Sequence, residues 1–305
     1  MKVRVGTRTG GIARAQSEFV TERLREVAEE RGEDVTFSIV PVTAESKAAT
    51  GPWVGLDQTG VLVAALRVAL ISDECDLVVH EMKDVPDREP GDLNLAAILE
   101  RPDAREVLCT EGASLAELPE GARVAASTPR AAAQVVALRP GLTVAIAHGD
   151  VDAQIDRLHA GEYEALVLSQ ATIGWVKRPG VAVHALELDE VVPAAGQAAL
   201  GIEIRADAPE ALRALVVALD HTPSRTAVSA ERAVLAEIFA PVSAPLSAHA
   251  TIQGDDLTLH ARVTNKNGTL ALNELTTAPL ALAVVIGRNT GLALLGRGAA
   301  RLLRS

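Results

Sequence analysis

The first hundred residues alternate between short apolar runs, typical of strands, and longer segments with apolar or small residues at helical spacing. One of these helices is expected to stop at Gly32, a favourable C-terminal residue. This alternation indicates βαβ units and therefore a largely parallel sheet. The predicted elements are strands at 2–6, 35–42 and 76–80 and helices at 12–32 and 59–71.

The same alternation repeats from about residue 104 and predicts a second α/β unit of similar size. Two α/β lobes with a cleft between them are a common arrangement for binding small ligands. The predicted elements are strands at 105–110, 123–128, 142–149 and 163–171 and helices at 131–141 and 151–161.

After about residue 214 the pattern changes to one helix followed by alternating strands, which predicts a small α+β domain. Asn267-Gly268 predicts a two-residue hairpin turn between the last two strands, and an apolar helix follows them. The expected elements are a helix at 224–239 and strands at 247–254, 257–264 and 269–275. The expected domains are 1–97 with 194–213, then 98–193, then 214–305.

Composition narrows the possible partners. A net charge of -11 and an aromatic content of 2% argue against nucleic acid and against an anionic membrane surface. An anionic ligand must therefore be held by a local group of cations. Cys75 and Cys109 stand far apart without a CxxC motif or a nearby His pair, so neither a disulfide framework nor a metal site is predicted. With no signal-peptide pattern and no apolar run of bilayer length, we expect a cytoplasmic protein.

The candidate chemistry lies where predicted strands give way to helices. The chain has no Walker loop, GxSxG or HExxH motif and no GxGxxG after the first strand, but polar residues follow several strands, where helix N-termini could hold an anion. Together they predict a carboxylate-binding cleft with Asp84 as its acid. These residues are Arg8, Lys83, Asp84, Ser127, Thr128, Arg130, His148 and Asp150.

Each of these residues also has a purely structural interpretation. Arg8 could form a salt bridge near the first helix, and Lys83 with Asp84 could be an interdomain ion pair. Ser127-Thr128 and Asp150 could simply cap the helices that follow them.

At these junctions the sequence resembles the porphobilinogen deaminase family, also called hydroxymethylbilane synthases. The matching segments are colinear over nearly the whole chain. The resemblance implies two α/β lobes like those of periplasmic binding proteins, a small C-terminal α+β domain, and a monomer. The segments are TRTGGIARAQ, DLVVHEMKDVP, ERPDARE, ASTPRAAAQ, HGDVDAQ, GEYEALVLSQATI, VPAAGQAALGIEIR and the AER at 230–232.

The resemblance also implies a function in tetrapyrrole (porphyrin, heme) biosynthesis. The family joins four porphobilinogen units head to tail into hydroxymethylbilane and releases ammonia at each step. The chain grows on a dipyrromethane cofactor attached to a cysteine. Asp84 matches the family's catalytic aspartate, and small anionic pyrroles would be the partners. The substrate-binding positions implied are Arg8, Lys83, Arg101, Arg105, Ser127, Thr128, Arg130 and His148.

Several family positions are changed in this chain. Val242 stands where the family has the cofactor cysteine, so no thioether is expected there, and Cys75 and Cys109 map elsewhere. Glu81 stands at the serine of the HSxKD motif. Family basic residues are also replaced, at Ala64, Ala131, His148 and Gln154.

Three hypotheses remain open from the sequence. The protein could be a porphobilinogen deaminase primed without a covalent bond at the usual position. It could be a divergent paralogue that uses Asp84 on a smaller anionic substrate. It could also be a non-catalytic protein that binds such a ligand.

Overall fold

A computed structural model describes residues 1–43, 58–86, 91–176, 178, 181–239 and 244–304, with the side chains of residues 58 and 59 left out. The chain divides into two compact units. The first comprises Met1–Arg101 and Ala199–Arg225, and the second comprises Pro102–Ala198 and Thr226–Ser305. Among the described residues, no helix is long and apolar enough to cross a membrane.

The first unit is built on a five-stranded sheet in the order β2-β1-β3-β10-β4. β1 pairs in parallel with β2 and β3, whereas β10 pairs antiparallel with β3 and β4. The elements are β1 (Lys2–Arg8), α1 (Gly11–Glu30), β2 (Thr36–Val42), α2 (Gln58–Ile71), β3 (Leu77–Glu81), β4 (Leu93–Ile98), β10 (Leu200–Arg205) and α6 (Glu210–Val217).

The sequence of α1 accounts for its packing and its end. Val20 and Leu24 are fully buried at i, i+4 spacing, so one apolar stripe of the helix faces inward. Gly32 follows with φ +66°, a left-handed conformation that glycine adopts without steric cost, and it stops the helix as predicted.

The second unit also contains a five-stranded mixed sheet, in the order β7-β6-β8-β5-β9. β6 pairs in parallel with β7 and β8, and β5 runs antiparallel between β8 and β9. The elements are β5 (Glu106–Thr110), β6 (Arg123–Ala126), α3 (Pro129–Leu138), β7 (Thr143–Ile146), α4 (Val151–His159), β8 (Ala165–Ser169), α5 (Gln170–Val176) and β9 (Ala182–Ala185).

The C-terminal part of the second unit is an antiparallel sheet in the order β11-β12-β13 with helices packed on it. α8 approaches α7 closely because Gly287 has no side chain: a Cβ atom there would lie 2.2 Å from the Ala230 carbonyl oxygen. The elements are α7 (Thr222–Ile238), β11 (Leu246–Gln253), β12 (Asp256–Thr264), β13 (Ala271–Pro279), α8 (Ala283–Gly296) and α9 (Ala299–Leu302).

The structure confirms the predicted fold class of α/β lobes with a small C-terminal α+β region. Two details of the prediction were wrong. The first sheet is mixed and not largely parallel, because β10 runs antiparallel between β3 and β4. β12 and β13 are joined by residues 265–270, and not by a two-residue turn at Asn267-Gly268. The backbone closes this longer turn from Leu270 to Asn265, where the Asn265 N–H donates to the Leu270 carbonyl at 3.1 Å. The predicted domain boundaries stay predictions.

Candidate functional site

The sheet of the first unit brings Arg8 and Asp84 together. β1 ends at Arg8 and its parallel neighbour β3 ends at Glu81, so both chains leave the sheet at the same edge. Asp84 lies in the short 3₁₀ turn Met82–Asp84 that follows β3. The Arg8 Nη1 atom donates to Asp84 Oδ2 at 3.3 Å, and the two side chains are 23% and 16% exposed. A ligand can therefore reach both groups.

The turn that carries Asp84 is anchored to β10. The Met82 backbone N–H donates to the Ala199 carbonyl at 2.8 Å, and the Met82 side chain is buried. Gly201 makes room for that side chain, because a Cβ atom at Gly201 would lie 2.3 Å from Met82 Sδ. The position of Asp84 is thus fixed by packing on both sides of the turn.

The surroundings of Asp84 favour its protonated form. Burial raises the pKa of the Asp84 carboxyl group, and this effect outweighs the opposing charge of Lys83. The nearby Glu81 carboxylate also raises that pKa, whereas Arg8 lowers it. A carboxyl group with a raised pKa stays protonated up to a higher pH than an ordinary aspartate, so it can donate a proton as well as accept one.

Glu81 forms an ion pair with Lys83 next to Asp84. Lys83 Nζ lies 2.9 Å from Glu81 Oε1. The Glu81 side chain is only 9% exposed, while Lys83 is 25% exposed. The structural interpretation of the sequence paired Lys83 with Asp84. In the structure, Lys83 contacts the Glu81 carboxylate, and Asp84 pairs with Arg8.

A buried charge cluster lies behind this edge of the sheet. Glu203 on β10 accepts from Arg67 on α2, with Nη2 at 2.6 Å and Nε at 3.0 Å, and lies 3.0 Å from His80 Nε2 on β3. All three side chains are about 1–2% exposed. Burial opposes ionisation of Glu203, but His80 and Arg67 more than offset it and lower its pKa to about 2. The cluster joins a helix and two strands beneath the Asp84 turn.

Sequence reasoning missed this cluster, although a signal was present. Arg67 is the charged residue within the apolar segment 59–71, and Glu203 interrupts the apolar strand 200–204. Opposite charges isolated in apolar elements seldom stay buried unless they pair. Their pairing could have been proposed on that ground.

In the second unit, Arg130 is held by groups of its own chain. Its side chain is buried, donates to the Glu106 carboxylate, and donates to the Val192 carbonyl at 2.6 Å. A further bond at 3.2 Å reaches Gln197 Oε1. Glu106 was not foreseen, and it supplies Arg130 with a buried counterion in place of an external ligand.

The residues at the start of α3 and α4 act as helix caps. The Thr128 hydroxyl accepts from the Ala131 N–H at 3.2 Å, and Asp150 accepts from the Ala153 N–H at 2.9 Å, as the structural interpretation predicted. Ser127 Oγ donates to Gln154 Oε1 at 2.7 Å. His148 is exposed in the connection between β7 and α4.

The remaining predicted arginines are placed as follows. Arg105 donates to Asp103 at 2.8 Å and to Glu187 at 3.1 Å, so two carboxylates of the second unit surround it. Arg101 belongs to the first unit, where its backbone N–H donates to Ser224 Oγ at 2.8 Å. Ligand binding by these residues stays a prediction.

Both cysteines of the chain are unsuited to nucleophilic attack. Cys75 and Cys109 are each 0% exposed, and burial raises the pKa of each thiol to about 12. The thiolate is the reactive form, so neither residue is a candidate for cofactor attachment. Val242 lies outside the described residues. Ala64, where the family has a basic residue, is buried on α2.

Comparisons with known proteins agree with the resemblance seen in the sequence. A family model described as porphobilinogen deaminase, dipyromethane cofactor binding domain, matches residues 3–213. The porphobilinogen deaminase of Acidothermus cellulolyticus is 38% identical over 307 residues, which cover 99% of this chain and 91% of that protein. That of Thermobifida fusca is 38% identical over 272 residues, with 88% and 83% covered.

The chain also has a likeness to solved structures. One is the VFT2 domain of Bordetella pertussis BvgS, which is 19% identical with a TM-score of 0.41. That likeness covers 71% of this chain and 85% of the domain.

Proposed function

The chain belongs to the porphobilinogen deaminase family, and from this premise we propose that it condenses porphobilinogen head to tail at Asp84, without a primer bound to a cysteine. Hydroxymethylbilane is the product that the family implies. The observation that carries the proposal is the position of Asp84: a carboxyl group with a raised pKa, paired with Arg8 and close to Lys83, at the edge where the parallel strands β1 and β3 end.

The proposed chemistry assigns two tasks to Asp84. In its protonated form it donates to the aminomethyl nitrogen, whose C–N bond breaks as ammonia leaves. As a carboxylate it then stabilises the cationic pyrrole through the ring N–H. The α-carbon of a second pyrrole forms the new C–C bond, and the proton lost from that carbon returns to Asp84. Each condensation therefore joins one pyrrole to another pyrrole or to the growing chain and releases one ammonia. At the end of the chain, the last ammonia leaves in the same way, water adds to the resulting cation to give the hydroxymethyl group, and the proton lost from that water returns to Asp84.

The dipyrromethane group implied by the family does not fit a thioether in this chain. The two cysteines are buried with pKa values raised to about 12, and valine at position 242 has no nucleophile. A primer, if used, must be held by noncovalent contacts. Arg8 is a partly exposed cation beside Asp84 that such contacts would use.

A second candidate function is the binding of a smaller anionic ligand without turnover. The observation that favours it is the internal pairing of predicted substrate-binding cations. Arg130 contacts Glu106, and Arg105 contacts Asp103 and Glu187. A growing polypyrrole with two carboxylates per ring needs many cationic partners, and each charge-assisted contact contributes roughly 1.5–3 kcal/mol.

The test is porphobilinogen consumption by the purified protein and by Asp84→Asn. We expect the wild type to consume porphobilinogen. The rate of Asp84→Asn should be at least about 100-fold lower, since general acid–base catalysis usually contributes a factor of this size. Asp207→Asn is the matched control, because Asp207 is an 87% exposed aspartate of the same unit.

Circular dichroism should show that Asp84→Asn stays folded. Consumption that continues unchanged in Asp84→Asn would overturn the assignment of this residue. A wild-type protein that is stabilised by porphobilinogen against heat but never consumes it would favour the second candidate.

A further inference from the structure

Two cations beside Asp84 are paired with carboxylates of the protein itself. Arg8 pairs with Asp84 at 3.3 Å, and Lys83 pairs with Glu81 at 2.9 Å. Within the part of the chain that the structure describes, each of these two cations thus has a carboxylate in contact. A ligand carboxylate that approaches Lys83 must compete with a carboxylate that is already in place.

Displacing Glu81 would be costly because of its burial. Its side chain is 9% exposed, so it cannot simply turn into water when an external carboxylate takes Lys83. A carboxylate left without its counterion in such surroundings loses several kcal/mol of stabilisation. Glu81 also lies at the end of β3, where the backbone pairs with Leu200 of β10, and this fixes the position of the side chain.

We propose that Glu81 is a specificity-determining residue, which holds the Lys83 ammonium and thereby excludes ligands that must place a carboxylate on it. This inference rests on the proposed function, because it defines the charge of the pyrrole that the Asp84 site accepts. The site then takes a pyrrole through Asp84 and Arg8 and gains little from a further acidic substituent.

The experiment compares two unreactive probes, a diacid and its uncharged diester. The first is a porphobilinogen analogue with methyl in place of the aminomethyl group, which cannot release ammonia. The second is its dimethyl ester, which lacks both negative charges. Calorimetry gives the dissociation constant of each probe with the wild type, Glu81→Gln and Glu81→Gln/Lys83→Gln. Glu164→Gln, which removes an exposed carboxylate paired with Arg123, controls for net charge.

We expect the wild type to bind the diacid and the diester within about threefold of each other. Glu81→Gln should bind the diacid at least about tenfold more tightly and leave the diester unchanged, since one charge-assisted contact becomes available. The added Lys83→Gln change should abolish the gain. If Glu81→Gln folds poorly, Glu81→Ser serves in its place.

An unchanged diacid-to-diester ratio in Glu81→Gln overturns the inference, as does a gain that survives Lys83→Gln or an absence of diacid binding in every variant. The outcome is separable from that of the proposed function. If the wild type does not consume porphobilinogen while the Lys83-dependent gain appears, the proposed function fails and the inference stands. If porphobilinogen is consumed and the diacid-to-diester ratio is unchanged in Glu81→Gln, the proposed function stands and the inference fails.

Discussion

At the scale of single residues, the placement of charge determines what the candidate site can do. Asp84 is reachable by a ligand and has a raised pKa, whereas Glu203 is buried and has a pKa lowered to about 2. The same carboxyl chemistry therefore suits Asp84 to the proposed role of proton carrier and keeps Glu203 ionised as a buried anion. The difference arises from burial and from the number of cations in contact.

The buried Glu203 anion should contribute to stability in a pH-dependent way. The folded-state pKa of Glu203 lies below the ordinary glutamate value of 4.5, so its contribution is present above about pH 4.5 and is lost as the pH falls toward 2. Glu203→Gln leaves Arg67 buried without a full counterion and should reduce the free energy of unfolding by about 3–5 kcal/mol at pH 7.

Urea unfolding at several pH values measures this effect. As the pH falls from 4.5 to the lowest pH at which the protein is still folded, the free energy of unfolding should decrease more for the wild type than for Glu203→Gln. The exposed Glu18→Gln is the control and should behave like the wild type. If the free energy of unfolding changed equally with pH in Glu203→Gln and in the wild type, the Glu203 carboxylate would not be held ionised by its neighbours.

At the scale of elements, local patterns predicted most helices and strands, and tertiary contacts decided the exceptions. The helical spacing of α1 and its stop at Gly32 were readable because both depend on neighbouring residues. The turn after β12 could not be predicted from its own sequence, because Gly268 packs against α3. A Cβ atom at Gly268 would lie 2.0 Å from the Ala133 carbonyl oxygen. Such a contact leaves no local trace in the sequence.

The two turns of the C-terminal sheet give a matched test of that contact. Gly268 and Gly254 have φ values of +68° and +62°, but nothing lies within 4 Å of a Cβ atom at Gly254. Gly254→Ala should cost only the left-handed backbone strain, about 1–2 kcal/mol. Gly268→Ala should cost more, because the methyl group would also displace α3.

The difference between the two alanine variants in the urea midpoint of unfolding reports the contact. Equal destabilisation by both substitutions would mean that the turn does not rest on α3.

The candidate site was also predictable only in part. Arg8 and Asp84 could be expected at one edge because parallel strands end together, and the structure places them there. That Arg130 would be taken up by Glu106 could not be foreseen, because the two residues lie 24 positions apart and meet only in the folded sheet. Sequence pattern therefore placed Arg8 and Asp84 together, but it did not reveal the internal carboxylate that pairs with Arg130.

At the scale of the whole molecule, the chain combines membership of the porphobilinogen deaminase family with a lack of accessible thiols. Its two cysteines are fully buried, and its net charge is -11. Under the proposed function, condensation of an acidic pyrrole relies on a few local cations and on noncovalent binding. The proposed lack of a thioether is what most clearly separates this mechanism from the one that the family implies.

The most direct test of the account is the intact mass of the protein after incubation with porphobilinogen, recorded under denaturing conditions together with the ammonia released. We predict that ammonia accumulates while the protein keeps its unmodified mass. A protein mass increased by pyrrole units, or an absence of ammonia release, would contradict condensation at Asp84 without a covalent primer.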